Sequence, residues 1–186
     1  MPDDSLYNRW VWLNTLVEEN PELYGGTTVF LPDYGQDYFI VQETFDDELI
    51  MHYERHLNGT RFTRQDLTGF IGLSSIDFTN RTLRIVEGVS DFISAKWFYK
   101  DNVLGKTTPK LSKKQLNVIK VVFDEVILLF DNDTAGMKAL TQVSSDLRKA
   151  GLRVKIQLPD SLYKDITQEL YNKCWLQQKD QKHLKN

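Results

Sequence analysis

The chain predicts an α/β protein: a parallel sheet flanked by helices, with a small N-terminal α+β subdomain. Three observations predict it. Strand-like and helix-like segments alternate from about residue 82 onward, as in strand–helix–strand units. One segment, EVILLF, is an almost unbroken apolar run of the kind a parallel sheet covers on both faces. Residues 1–80 lack this alternation and are richer in aromatics and turn sequences such as PELYGG, LPDYGQDY and HLNGT.

Taken in order, TLRIVEG reads as a strand, DFISAKWFY as the helix after it, and NVLG as a short strand. SKKQLNVIKVVF opens with a Ser-x-x-Gln capping box at Ser112 and Gln115, and Leu116, Ile119 and Phe123 share one face of its helix. After EVILLF, Ala139, Leu140, Val143, Leu147 and Ala150 recur at helical spacing, with Gly151 where a C-terminal cap belongs. LRVKIQLP alternates Val154, Ile156 and Leu158 and stops at Pro159. In the N-terminal part, TTVFL and YFIVQETF read as strands. The expected division is an α+β subdomain over 1–80, an α/β domain over 81–172 and a polar tail over 173–186, fraying at its end.

Composition narrows the class. Hydrophobic residues make up 41%, charged residues 26%, and the net charge is −3, so bulk charge does not point to nucleic acid, although a local basic face is compatible with it. The single cysteine, Cys174, rules out an internal disulfide and a cysteine-based zinc site built from this chain. No apolar run approaches the roughly 18 residues of a membrane span, and MPDDSLYNRW is not a secretory signal. The expected location is the cytoplasm, that of the host if the chain is viral, with no membrane partner.

The stretch VILLFDNDTAGMKAL, residues 126–140, carries the chemistry. An apolar strand ends on two aspartates one position apart, with no basic residue beside them. Residues i and i+2 of an extended segment point the same way, so Asp131 and Asp133 project together and Asn132 turns away. Carboxylates this close repel unless a cation sits between them or one is protonated. A hard divalent ion, Mg²⁺ or Mn²⁺, is the expected partner, and Glu87 of RIVEG completes the set if its strand is adjacent. The plainer alternative is that Asp133 or Thr134 only caps the next helix, and that Glu87-Gly88 is only a turn.

IVEGVSDFISA, LGKTTPKLSKKQLNVI, VILLFDNDTAGMKAL and GLRVKIQLPDSLYKDITQEL, in that order and spacing, resemble the TOPRIM domain of bacterial and phage replicative DNA primases. The likeness covers residues 83–170 and extends weakly over HLNGTRFTRQDLTGFIGL. It implies a TOPRIM-type catalytic core that makes short RNA primers on single-stranded DNA from ribonucleoside triphosphates by metal-dependent nucleotidyl transfer, with a replicative helicase as partner. It makes Glu87, Asp131 and Asp133 catalytic and metal-binding, with Asp91 and Asp165 as further acids near the metal. Gly88 and Gly136 allow close backbone approach to phosphate or to a neighbouring strand. Lys106 is a candidate phosphate contact that otherwise reads as a surface lysine. Arg55, Arg61 and Arg64, interleaved with Phe62 and Phe70, are candidate contacts to the nucleic-acid backbone, or else a solvated charged face.

Two departures qualify the resemblance. Lys106 and Pro109 stand in a segment where the family has Leu-Gly-Thr-Ala-Leu-Thr, and Ile166 follows Lys164-Asp165 where proline is usual. The zinc module of such primases is also missing, which leaves open a fragment, a stand-alone protein, or a zinc module from another chain. The alternatives are a metal-dependent TOPRIM nuclease and a non-catalytic TOPRIM recruitment module. A topoisomerase is disfavoured because Ala135 stands where those enzymes carry an acid.

Overall fold

The computed structural model describes residues 4–33 and 35–176. Helices α1 (Asp4–Glu19) and α2 (Pro21–Tyr24) lead into an antiparallel sheet of β1 (Thr27–Phe30), β2 (Tyr38–Phe45), β3 (Glu48–His56) and β4 (Arg61–Asp66), joined in sequence order. Short β5 (Phe70–Ile71) then enters a second sheet with β6 (Thr82–Val86), β7 (Val103–Lys106), β8 (Glu125–Leu129) and β9 (Arg153–Ile156). Its spatial order is β5-β7-β6-β8-β9, with β5 antiparallel to β7 and every other pairing parallel. Helices α3 (Val89–Tyr99), α4 (Lys113–Val122), α5 (Thr134–Lys149) and α6 (Ile166–Leu170) flank it. Among the described residues no helix is long and apolar enough to cross a membrane.

The alternation read from residue 82 onward is present element by element. Both bonds of the capping box form: Gln115 N–H donates to Ser112 Oγ at 3.2 Å, and Ser112 N–H to Gln115 Oε1 at 2.8 Å. Gly151 takes a left-handed φ of 91° at the end of α5. The alternating segment after it behaves differently from the other strands. Because β9 is an edge, Ile156 and Leu158 remain 46% and 41% exposed.

The N-terminal part contains more structure than its sequence suggested. TTVFL and YFIVQETF supply β1 and β2, while α1, β3 and β4 are additional. Helix α1 forms because Trp10, Leu13, Leu16 and Val17 recur at helical spacing and are all buried. At the other end, Tyr171–Leu176 continues α6 as a wider π-helical turn. The remaining residues of the tail, 177–186, lie outside the described residues.

Two cores sandwich the parallel sheet. On one side Leu83, Ile85, Val126 and Leu128 pack with Ile119 and Phe123 of the α4 region and Leu140, Val143 and Leu147 of α5. On the other, Val86 and Leu129 join Phe92 and Ile93 of α3 and Ile166 and Leu170 of α6. This second core continues into Trp12 and Leu13 of α1 and Phe39, Val41 and Met51 of the antiparallel sheet. The described residues of α1 and the antiparallel sheet are therefore packed onto the α/β layers through a shared core.

The topology opens a crevice. Strands β6 and β8 are neighbours, yet the helices that follow them, α3 and α5, pack into opposite cores. The chain diverges above and below the sheet at the carboxyl ends of these two strands, which is where open parallel sheets bind ligands.

Candidate active site

Glu87 leaves β6 and Asp131 leaves β8 at the same edge, since Val86 lies opposite Leu129. Glu87 Oε2 accepts the backbone N–H of Asp131 at 2.9 Å, which ties the two strand ends together. Asp131 and Asp133 do point to one side: Lys164 Nζ lies 3.6 Å from a carboxylate oxygen of the first and 3.3 Å from one of the second. Asn132 is exposed, and its N–H donates to the Lys164 carbonyl at 2.6 Å. Asp133 also caps α5, accepting Gly136 N–H at 2.8 Å, so the capping role and the site role coexist in one side chain. The counter-charge absent around residues 131–133 comes from the loop before α6.

Two further acids stand behind this group. Asp91, in the first turn of α3, is buried and accepts Thr167 Oγ1–H at 2.6 Å. Asp165 caps α6 by accepting Gln168 N–H at 2.7 Å. Burial, with Asp165 and Asp131 nearby, holds the Asp91 carboxyl well above the usual range. Burial also pushes Asp131 up to about 6, helped by Glu87 and Asp165 and opposed by Lys164. Asp133 is held low by its bond from Gly136 N–H and by Lys164. Burial and neighbouring acids thus disfavour the charged forms of Asp91 and Asp131, while the Gly136 N–H and Lys164 favour that of Asp133.

The glycines differ in what they do. A Cβ on Gly136 would lie 2.3 Å from the Asp131 carbonyl oxygen and 2.8 Å from Glu87 Oε2, so only glycine lets α5 start against the site. Gly88 has an extended backbone, and its Cβ would meet only Asp91 Oδ2, at 3.4 Å. Gly136 thus serves close packing on the strand ends, while Gly88 leaves the cleft side of the loop open.

Lys106 is not a surface lysine. It is 3% exposed, and its Nζ donates to the carbonyls of Thr108 and Pro109 at 3.0 Å each, beside the Phe130 ring. Burial lowers its pKa, while Glu87 and Asp131 oppose that shift. It fixes the Thr107–Pro109 loop at the rim of the cleft.

The cleft has a volume of about 700 Å³. Glu87, Asp91, Asp131, Asp133 and Asp165 line one wall, and Arg55, Arg61 and Tyr53 of the antiparallel sheet line the other. Arg9 and Trp10 of α1 add to that second wall, residues that the sequence reading missed. The grouping of Arg64 with Arg55 and Arg61 needs correction. Arg64 lies on the opposite face of the sheet, its Nε donating to the buried Glu54 carboxylate at 2.5 Å. Arg61 and Arg64 are three residues apart, which puts them on opposite faces of a regular strand, and Arg64 keeps that side beside an irregularity that leaves it unpaired between Thr63 and Gln65.

Among the described residues, no three Asp, Glu, His or Cys side chains stand close enough to hold a metal ion as placed. The donor chemistry nevertheless suits Mg²⁺ or Mn²⁺. The group consists of hard carboxylate oxygens, burial and the neighbouring acids hold the Asp131 carboxyl above its usual range, and an ammonium group already lies against Asp131 and Asp133.

Comparison with known proteins agrees with this geometry. Residues 84–170 match the family model described as Toprim-like. Over 80 residues the chain is 36% identical to a DNA primase of Clostridium acetobutylicum, a match covering 42% of this chain and 13% of that protein. The crystal structure of the Aquifex aeolicus primase zinc-binding and RNA polymerase domains superposes with a TM-score of 0.62 at 17% identity, covering 91% of this chain and 47% of that one. A primase catalytic domain bound to single-stranded DNA superposes with a TM-score of 0.60 at 14% identity, covering 90% and 58%. The chain thus spans less than two thirds of each of these relatives. Residues 84–170 are a Toprim-like domain, and the chain that carries it has the fold of primase catalytic cores.

Proposed function

We propose that this chain is the catalytic core of a DNA primase, joining ribonucleotides into short RNA primers on single-stranded DNA by metal-dependent nucleotidyl transfer. The observation that carries the reading is the 2.9 Å bond from Asp131 N–H to Glu87 Oε2, which brings the acid of one strand beside the aspartate pair of its neighbour. Glu87, Asp131 and Asp133 would hold Mg²⁺ or Mn²⁺, with Asp91 and Asp165 behind them. A bound divalent ion activates a hydroxyl for attack and neutralises charge on the phosphates.

The chain's own groups do the rest. Arg55 and Arg61 line the same cleft as the acids and would neutralise the phosphates of a template strand. Lys106 holds the rim loop. A replicative helicase is the partner class that goes with this reading.

The test incubates single-stranded template with labelled ribonucleoside triphosphates and Mg²⁺ or Mn²⁺. Labelled product should lengthen with wild type, and Glu87→Gln and Asp131→Asn should each lose roughly 100-fold or more, the scale for removing a group that stabilises transition-state charge. Shortening of the template in place of product growth would identify a nuclease. Variants as active as wild type would remove the site assignment.

A further inference from the structure

We propose that Lys164 is a built-in cation of this site: its ammonium compensates Asp131 and Asp133 until a divalent ion displaces it, after which it serves the phosphates of an incoming nucleotide. The inference rests on the metal-site reading above and adds to it what occupies the pair before the metal and what that occupant does next.

The geometry is specific. Lys164 Nζ lies 3.6 Å from Asp131 and 3.3 Å from Asp133, against the two carboxylates that project together. Its backbone is clamped at both polar groups. The Lys164 carbonyl accepts Asn132 N–H at 2.6 Å, and its N–H donates to Gln168 Oε1 at 2.9 Å. The loop is thereby tied to the Asp131–Asp133 segment on one side and to α6 on the other. The side chain, by contrast, is 54% exposed and free to swing on its four-carbon stem.

The other lysine lining the cleft has the opposite design. Lys106 is buried, with Nζ fixed on two carbonyls, and cannot exchange partners without breaking its loop. Only Lys164 of the two can move between carboxylate and phosphate. A compact ammonium suits that exchange, since it binds phosphate as a point charge with no preferred plane.

The test is calorimetric titration of Mn²⁺ into the nucleotide-free protein, followed by titration of ATP at saturating Mn²⁺. Lys164→Met should bind Mn²⁺ roughly three- to tenfold more tightly than wild type, the scale two partly exposed ion pairs can supply. The same variant should bind ATP more weakly, and Lys164→Arg should keep Mn²⁺ affinity near wild type. Asp131→Asn serves as the control. If it weakens Mn²⁺ binding while Lys164→Met leaves it unchanged or weaker, the role of Lys164 is overturned and the metal site stands. Unaltered ATP binding by Lys164→Met would likewise overturn the second half of the exchange. If Asp131→Asn binds Mn²⁺ as wild type does, the metal-site reading fails and this inference with it.

Discussion

Gly136 illustrates how tightly single residues define the site. Its missing Cβ leaves room for the Asp131 carbonyl and for the Glu87 carboxylate, and α5 can begin only because both fit there. Gly136→Ala should cost about 1–3 kcal/mol by overpacking and should displace Glu87 from Asp131 N–H, read as a lower midpoint in urea and weakened Mn²⁺ binding. Gly88→Ala should leave the midpoint nearly unchanged, since its backbone is extended and its nearest new contact is 3.4 Å away. Glu87, Asp131 and Asp133 were legible in the sequence because two strand ends carried acids without neutralising neighbours. Lys164 was not legible as their counter-charge, because the loop that brings it back follows α5 and β9. Nor was the burial of Lys106: a lysine alone in a turn sequence gives no sign that carbonyls will enclose it.

At the scale of elements, strand parity decides which arginines face the cleft. Arg55 and Arg61 are paired across β3 and β4 and line it, whereas Arg64 turns to Glu54 on the far face. Arg61→Ala should weaken single-stranded DNA binding and reduce its salt dependence by about one phosphate contact. Arg64→Ala should leave DNA affinity unchanged and lower Tm by removing one partner of buried Glu54, which keeps only the His52 and His56 rings.

A second element-scale device is Glu43 of β2. This buried carboxylate accepts Gly72 N–H at 2.9 Å, Ser74 N–H at 2.7 Å and Ser74 Oγ–H at 2.8 Å, tying the turn after β5 of the second sheet to β2 of the first. Glu43→Gln turns an amide donor against one of these donors and should cost about 1–3 kcal/mol. Burial raises the Glu43 carboxyl above 4.5 despite its three donors, so its contribution is fully present below that pH and is lost as pH rises through the folded value. The stability advantage of wild type over Glu43→Gln should therefore shrink as pH climbs through that interval, which thermal melts at successive pH values would register. The order of strands and helices after residue 82 was legible because apolar periodicity and capping residues agree there. Helix α1 was harder to see, since Trp12 and Asn14 are buried on faces a simple amphipathic stripe leaves outside.

At the scale of the whole molecule, residues of both sheets line one cleft. The parallel sheet supplies the acids at the point where its helices part to opposite faces, and the antiparallel sheet with α1 supplies the basic and aromatic wall. Shared packing among Trp12, Phe39, Met51, Phe92 and Ile93 holds the two walls at a fixed separation. The sequence indicated two differently built parts, but not that they close one cleft, because contacts between residues so far apart in the chain leave no local pattern. Anomalous diffraction from crystals soaked in Mn²⁺ would show whether three acids from two neighbouring strands bind a divalent cation in that cleft. An anomalous peak is expected among Glu87, Asp131 and Asp133, with Lys164 withdrawn from the pair. A Mn²⁺ peak elsewhere, with Lys164 still seated between unmetallated aspartates, would contradict this expectation.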